Sequence, residues 1–181
     1  DIDHGTYPFV TSSSTTAGGL SSGLGIGPKH IDSILGITKA YTTRVGEGPF
    51  PTELFDANAE ELAKVGHEFG ATTGRPRRCG WLDLKALESI MFINSVSNLC
   101  ITKLDVLDGF KDIKVCVDYD DDEKPIYKTF AGWEEDTSNV RSFDGLPEAA
   151  QNYISFIEET LDCTVGIVSV GPSRDQTIYK D

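Results

Sequence analysis

A lysine and an aspartate at the end of one predicted strand, Lys103 and Asp105, have the chemistry to recognise a purine base. They follow the apolar run 98–102 and are separated by a single residue. A carboxylate can accept two hydrogen bonds from the ring N–H and the amine of guanine, a donor pair that adenine lacks. The lysine stem can lie along the base while its ammonium stays solvated. The alternative to base recognition is that Lys103 is a surface lysine and Asp105 caps a helix. The spacing alone does not decide between the two.

A cluster of arginines in the segment 70–78 predicts an anionic ligand. Arg75, Arg77 and Arg78 are three of only 16 basic residues in the chain. A glycine before them gives the backbone freedom and a proline among them stiffens it, while Arg75 and Arg77 can form bidentate pairs with a carboxylate or a phosphate. The alternative is a solvated loop whose arginines pair with nearby surface acids.

The hydroxyl-rich segment that begins at Thr11 is a third candidate site. Thr11 and residues 12–14 offer hydroxyl and backbone N–H groups that could hold a phosphate, although a serine-rich loop without a ligand is an equally good interpretation. The histidines have no HxxxH or HExxH spacing, and the acidic run 118–123 lacks the spaced ligands of an EF-hand. The sequence also contains neither a GxSxG elbow nor a Walker phosphate loop. We therefore predict no metal site and no serine-hydrolase chemistry.

The overall charge excludes several kinds of partner. The 181 residues carry a formal charge of −13 and are 39% hydrophobic, which is typical of a globular protein with an acidic surface. Binding to nucleic acid or to an anionic membrane is therefore not expected. No apolar run approaches the roughly 20 residues of a membrane span, and the first residues do not resemble a signal peptide, so we expect a cytoplasmic protein. The four cysteines form no CxxC pair, which favours buried thiols.

Hydrophobic periodicity predicts the elements that position these residues. The predicted helices begin at Pro28, at Asn58, after the cap Asp83 and at Pro147. The predicted strands cover residues 37–45, 98–102 and 164–171, with an antiparallel hairpin over 111–128. We therefore expect an α/β fold with α+β character, in which a mixed sheet with flanking helices is joined by a smaller lobe that contains the hairpin. Residues 1–110 are expected to form the α/β part, and residues 111–181 the carboxy-terminal lobe.

Several long phrases, taken in order, resemble adenylosuccinate synthetases. They are DIDHGTYPFVTSSSTTAGG, AYTTRVGEGPFPTEL, GATTGRPRRCGWLDL, NLCITKLDVLDG, GLPEAAQNYI and SVGPSRDQTI. The resemblance runs nearly end to end, and it implies the carboxy-terminal portion of a GTP-dependent ligase and of its central sheet. It implies that IMP and L-aspartate are joined to give adenylosuccinate, GDP and phosphate in AMP synthesis. The γ-phosphoryl group of GTP would go to the 6-oxygen of IMP, and the aspartate amine would then displace that phosphate.

The resemblance also assigns ligands to individual residues. It implies contacts to IMP at Thr11, Val45 and Arg75. It implies contacts to aspartate at Thr72, Thr73, Arg75 and Arg77. It implies contacts to the guanine nucleotide at Arg77, Lys103, Asp105, Ser169 and Gly171. No catalytic residue and no metal ligand is expected in this sequence, and the phrase SVGPSRDQ departs from the expected STGPDR, which affects the lining of the base pocket.

The family's phosphate loop GDEGKGK does not occur in the sequence, and neither does the histidine that stabilises the transferring phosphoryl group. With the start at Asp1, this predicts a fragment whose Mg²⁺ is bound mainly by a missing amino-terminal part and whose parent is a homodimer. The alternatives are a stand-alone guanine-nucleotide-binding or regulatory module and a GTPase-like switch. The aspartate-binding loop argues against the first, because it has no evident use there, and the lack of a Walker loop argues against the second.

We predict that the 181-residue chain alone makes no adenylosuccinate. The implied general base, phosphoryl stabiliser and phosphate loop are missing from its sequence, and transition-state stabilisation depends on such preorganised groups. The measurement is product formation from IMP, GTP, aspartate and Mg²⁺, with a full-length synthetase as the positive control. Product that increases in proportion to the purified chain would contradict the prediction.

Overall fold

The computed structural model describes residues 1–70 and 74–180, and in this part of the chain helices flank mixed sheets. The helices are α1 (Ala17–Leu24), α2 (Ala57–Val65), α3 (Leu84–Asn94) and α4 (Glu148–Leu161). The strands are β1 (Leu35–Lys39), β2 (Thr42–Arg44), β3 (Arg78–Gly80), β4 (Leu82–Asp83), β5 (Asn98–Thr102), β6 (Asp112–Tyr119), β7 (Pro125–Ala131), β8 (Val165–Ser169) and β9 (Thr177–Tyr179). The expected α/β fold with α+β character is confirmed. None of the described helices is long and apolar enough to cross a membrane.

The main sheet brings the ends of three parallel strands to one edge. Its strand order is β1-β5-β8-β9, with β1, β5 and β8 parallel and β9 antiparallel to β8. Lys39 pairs with Thr102 in register, and Ile101 pairs with Val168. The carboxyl ends of parallel strands lie at the same edge of a sheet, where ligands commonly bind. The residues that follow β1, β5 and β8 are therefore close in space although they are distant in sequence.

A second sheet contains the predicted hairpin. Strands β6 and β7 are antiparallel, and the short strand β4 lies parallel to β6. The acidic connection between β6 and β7 is closed by a side chain: the Asp120 carboxylate accepts from the backbone N–H groups of Asp122 and Lys124, each at 2.9 Å. The hairpin prediction is confirmed, and its acidic run forms a self-capped turn.

The long helix α4 joins the two parts of the predicted domain division. Its buried face consists of Ala150, Tyr153, Ile154 and Ile157, which recur at helical spacing. The Tyr153 hydroxyl donates to the Ala40 carbonyl oxygen at 2.7 Å, across 113 residues of sequence. Buried residues from before and after position 110 belong to one hydrophobic core, and β8 lies in the same sheet as β1 and β5. The division at residue 110 stays a prediction.

Two local expectations were wrong. The helix expected from Pro28 is a single 3-10 turn at Pro28–His30, and the chain then enters β1, whose backbone pairs with the largely buried β5. Helix α2 is capped by Asp56 rather than Asn58, since the Asp56 carboxylate accepts from two backbone N–H groups of the first turn. The Asp83 cap of α3 is confirmed.

We predict that truncating the buried face of α4 destabilises the fold. Ile154→Ala should lower the free energy of unfolding by about 2–5 kcal/mol, because Ile154 is fully buried and its removal leaves a cavity. The matched control is Ile126→Ala in β7, where the side chain is 46% exposed and the expected loss is below about 1 kcal/mol. Urea denaturation followed by circular dichroism measures both. Equal losses for the two variants would contradict the assigned core.

Candidate functional site

The base-recognition candidates lie on a rigid turn at the carboxyl edge of the main sheet. Strand β5 leads into Lys103, whose backbone is in the left-handed region with φ 60° and ψ 35°. The 3-10 turn Leu104–Leu107 follows, and its three leucine and valine side chains are buried. A non-glycine residue in this conformation is uncommon, persists only where the surrounding structure imposes it, and is often found at functional sites. The buried side chains therefore hold Asp105 in a fixed position at the sheet edge.

Asp105 has a buried oxygen that nothing in the described part of the chain satisfies. Its Oδ1 atom is buried and has no hydrogen-bond partner among those residues, and burial raises the pKa of this carboxyl group. Leaving a buried acceptor unpaired costs about 1–3 kcal/mol. Asp105 also does not cap the turn, because the cap position is Lys103 and no side chain there makes a capping bond. A ligand with N–H donors would satisfy this oxygen.

The neighbouring carboxylate Asp108 shows what a structural aspartate looks like in the same turn. Its oxygens accept from the Trp133 indole N–H at 2.6 Å, from the Thr137 backbone N–H at 2.8 Å and from the Thr137 hydroxyl at 3.0 Å. Burial raises the pKa of Asp108, and these hydrogen bonds oppose that effect. Asp108 is thus saturated by the fold, whereas Asp105 is not.

Lys103 has partners that the sequence-based expectation did not include. Its ammonium donates to the Gly66 carbonyl oxygen and forms an ion pair with Glu68 Oε1 at 3.1 Å. The Lys103 side chain is nevertheless 34% exposed, so its ammonium is both paired with a buried carboxylate and partly accessible to solvent. The lysine stem remains beside the turn that carries Asp105.

Glu68, which sequence reasoning missed, is the centre of what we call the Glu68 cluster: Glu68 with Lys39, Tyr41, Arg77 and Lys103. The Glu68 carboxylate accepts from Lys39 at 2.7 Å, from the Tyr41 hydroxyl at 2.5 Å and from Arg77 at 2.8 Å, in addition to Lys103. Burial opposes ionisation of Glu68, but these donors outweigh it and lower its pKa to about 2. Only an acidic residue two positions before the arginine-rich segment hinted at this role.

Backbone contacts join the described residues on the two sides of the gap in the arginine-rich segment. Phe69 forms an antiparallel bridge with Pro76, the Gly70 N–H donates to the Arg75 carbonyl at 2.8 Å, and the Arg77 N–H donates to the Glu68 carbonyl at 2.8 Å. Arg75 is exposed, while Arg77 is half-buried against Glu68. The predicted contacts Thr72 and Thr73 lie outside the described residues.

Arg78 stabilises the turn that follows Val45, one of the predicted IMP contacts. Arg78 pairs with Glu53 and donates to the carbonyls of Gly46 and Gly48, at 3.1 and 2.9 Å, which fixes the turn after Val45. Val45 itself is 71% exposed. The anionic-ligand expectation for the arginine-rich segment therefore concerns Arg75 and Arg77.

Arg44 brings the chain near Thr11 to the end of strand β2. Its guanidinium donates to the Thr6 hydroxyl at 2.7 Å and to the Phe9 carbonyl at 3.4 Å. The segment that carries the exposed Thr11 is thereby held beside the strand that ends before Val45. In the sequence, the basic residue directly before Val45 was the feature that could have indicated this contact.

Ser169 is the last residue of β8 and Gly171 follows the strand, at the same sheet edge as Lys103. The Ser169 hydroxyl donates to the Gly171 carbonyl at 2.9 Å, and the Val170 N–H donates to the Gln176 carbonyl at 2.9 Å. A Cβ atom at position 171 would overlap the side-chain amide of Gln176, so any other residue there would have to displace the Gln176 side chain from its hydrogen bonds to Ser138 and Ser173. The buried Val170, where the sequence departs from the expected phrase, packs into the core.

Within residues 1–70 and 74–180, no group of three or more His, Cys, Asp and Glu side chains could hold a metal ion.

Comparison with known proteins gives concordant family matches. A sequence model described as adenylosuccinate synthetase matches residues 1–178. The adenylosuccinate synthetase of Psychrobacter sp. (strain PRwf-1) is 58% identical over 98% of this chain, and that of Marinomonas sp. (strain MWYL1) is 55% identical over the same share. Each match covers 45% of the relative, so the chain spans less than half the length of these curated relatives.

Solved structures resemble the chain in the same way. A fully ligated adenylosuccinate synthetase from Plasmodium falciparum matches with a TM-score of 0.96 and 45% identity, over 100% of this chain and 47% of that one. A cyanophage S-2L succinoaminodeoxyadenylate synthetase, bound to dGMP and to dATP as an energy donor, matches with a TM-score of 0.62 over 99% of this chain. At 16% identity the second likeness concerns the fold alone.

We predict that Glu68 makes the chain more sensitive to acid. Its pKa is about 2 in the folded chain, against about 4.3 in an unfolded one, so its contribution to stability is complete above about pH 4.3 and is lost as the pH falls towards 2. The free energy of unfolding of the wild type should therefore fall more steeply over this range than that of Glu68→Gln. Urea denaturation at a series of pH values measures the difference, and parallel curves for the two proteins would contradict the assigned ion pairs.

Proposed function

This chain belongs to the adenylosuccinate synthetase family, and from that premise we infer that it supplies the guanine-reading and aspartate-binding part of a ligase. The proposed reaction of the whole protein joins IMP and L-aspartate at the expense of GTP and yields adenylosuccinate, GDP and phosphate. The observation that carries the proposal is the buried Asp105 oxygen that lacks a partner among the described residues at the carboxyl edge of the main sheet. An acceptor held ready for a donor is what a guanine-specific site needs.

Asp105 is the proposed reader of the guanine base. Guanine presents a ring N–H and an exocyclic amine side by side, and one carboxylate can accept from both. Adenine presents an unprotonated ring nitrogen at the corresponding place, which would face the Asp105 oxygen without a donor. Lys103, Ser169 and Gly171 are proposed to line the same nucleotide, because their strands β5 and β8 are parallel neighbours that end at this edge.

Arg75 and Arg77 are the proposed partners of the aspartate carboxylates, together with Thr72 and Thr73. Guanidinium groups match carboxylates in a bidentate geometry. Backbone contacts, the Phe69–Pro76 bridge among them, hold these two residues beside residues 68–70. Arg75 is also proposed to contact IMP, and Arg77 the guanine nucleotide. The half-buried position of Arg77, beside the same Glu68 carboxylate that holds Lys103, supports its double assignment.

Thr11 and Val45 are the proposed IMP contacts. Arg44 links the segment before Thr11 to the strand before Val45, which supports a shared ligand for the two. With IMP held there and aspartate on the arginine-rich segment, the chain would bring the aspartate amine towards the 6-position of the purine. Orientation of two reactants in this way can supply a large part of a rate enhancement.

The remaining elements of the proposal concern the whole protein. Mg²⁺, when bound, neutralises charge on the transferring phosphoryl group, and its ligands would lie outside the described residues. We also propose that the protein is cytoplasmic and forms a homodimer.

We predict that Asp105→Asn changes the nucleotide preference of the ligase. The test protein is a chimera in which this chain replaces the matching segment of the Psychrobacter synthetase. The amide donor introduced by Asp105→Asn would face a donor of guanine. The transition-state stabilisation obtained from kcat/KM for GTP should therefore fall by about 1–3 kcal/mol. Xanthosine triphosphate carries a carbonyl in place of the guanine amine and should become a usable phosphoryl donor. The measurement is kcat/KM for both nucleotides.

Asp108→Asn is the matched control, since it changes a carboxylate of the same turn that the fold already saturates. It should lower stability and leave the ratio of kcat/KM between GTP and xanthosine triphosphate unchanged. A folded Asp105→Asn variant with the wild-type ratio would refute base recognition by Asp105. An inactive parent chimera would count against the proposed function itself.

A further inference from the structure

The Glu68 cluster joins two parts of the proposed site that come from separate elements. Glu68 Oε2 accepts from Arg77, which belongs to the arginine-rich segment, and Glu68 Oε1 accepts from Lys103, which belongs to the base-reading turn. Lys39, at the end of β1, also binds Oε1. One fully buried carboxylate thus touches both the proposed aspartate-binding arginine and the proposed nucleotide-binding lysine.

The charge of the cluster is unbalanced. Three cations surround one carboxylate, and their side chains are 25–34% exposed while that of Glu68 is fully buried. Without Glu68 the three cations would repel one another in a partly desolvated site. With it they are kept within ion-pair distance of one carboxylate, and the cluster keeps a net positive charge in an otherwise acidic chain.

The backbone around Glu68 is built to hold it. The Glu68 N–H donates to the Ala63 carbonyl of α2 at 2.9 Å, and its carbonyl accepts from the Arg77 N–H at 2.8 Å. A Cβ atom on Gly66 would overlap the Tyr41 hydroxyl, which is itself bound to Glu68. The Gly66 carbonyl receives the Lys103 ammonium. Glu68 is therefore anchored to both partners through its side chain and its flanking backbone.

We propose that Glu68 is a positioning residue that couples aspartate binding to guanine-nucleotide binding by holding Arg77 and Lys103 on one carboxylate. This inference rests on the proposed function for the identity of the two ligands. When a ligand binds Arg77, the Glu68 carboxylate redistributes its hydrogen bonds among Lys39, Tyr41 and Lys103. The position of Lys103 therefore depends on whether a ligand is bound at Arg77. By thermodynamic linkage the dependence is reciprocal.

The test in the 181-residue chain is independent of activity. Glu68→Gln keeps the size of the side chain and removes its charge, so the Arg77 and Lys103 side chains should lose their fixed positions. Nuclear magnetic resonance of the arginine Nε–H groups and lysine ammonium groups measures this as faster proton exchange. Glu158→Gln is the matched control, because Glu158 is a partly buried carboxylate paired with Lys180 away from the site, and it should leave both signals unchanged.

The second arm uses the chimeric synthetase. Glu68→Gln should raise the Michaelis constants for aspartate and for GTP together, by about 10-fold to 100-fold, the usual effect of removing a group that orients binding residues. Arg77→Leu and Lys103→Met should have non-additive effects when Glu68 is present and additive effects in the Glu68→Gln background. Glu158→Gln should leave both constants unchanged.

Each outcome supports or overturns the inference. Unchanged side-chain exchange in the chain, or unchanged Michaelis constants in a folded Glu68→Gln chimera, would overturn it. If Glu68→Gln does not fold, Tyr41→Phe removes one donor to Glu68 and should shift both constants in the same direction by a smaller factor; no shift would also overturn it. Altered exchange in the chain with an inactive parent chimera would support the positioning role and count against the proposed function.

Discussion

The buried carboxylate of Glu68 is the interaction on which the rest of the site depends. An isolated charge in a protein interior costs several kcal/mol, and it persists only when enough donors surround it. Here Lys39, Tyr41, Arg77 and Lys103 supply those donors. The same bonds fix Lys39 at the end of β1, Arg77 in the arginine-rich segment and Lys103 before the turn Leu104–Leu107. Burial of one acid therefore orders three separate pieces of chain.

The parallel arrangement of β1, β5 and β8 provides the surface on which this cluster is built. Because all three strands end at one edge, residues more than 60 positions apart in sequence become neighbours. The two aspartates of the turn after β5 then have different tasks. Asp108 is saturated by Trp133 and Thr137 and holds the turn to the rest of the fold, while Asp105 keeps a buried oxygen available. The fold thus stabilises the site with one carboxylate and leaves the other for a ligand.

The local positive charge stands out against the composition of the chain. With a formal charge of −13, the protein would repel anionic substrates over most of its surface. The Glu68 cluster and Arg75 gather four basic residues near one edge, which gives anions a defined place to bind.

The sequence by itself determined the elements with strong periodicity and the residue types of the site. It predicted α3 with its Asp83 cap, β5, the hairpin and the buried face of α4, because these signals are local. The tertiary structure decided that the predicted strand 37–45 divides into β1, which pairs with β5, and β2, which pairs with β3, and that the helix expected from Pro28 is a single 3-10 turn. It also decided that Asp105 is available while Asp108 is not, and that Glu68 lies at the centre of the site. These properties depend on burial and on partners distant in the chain. Neither can be predicted from a pattern of neighbouring residues.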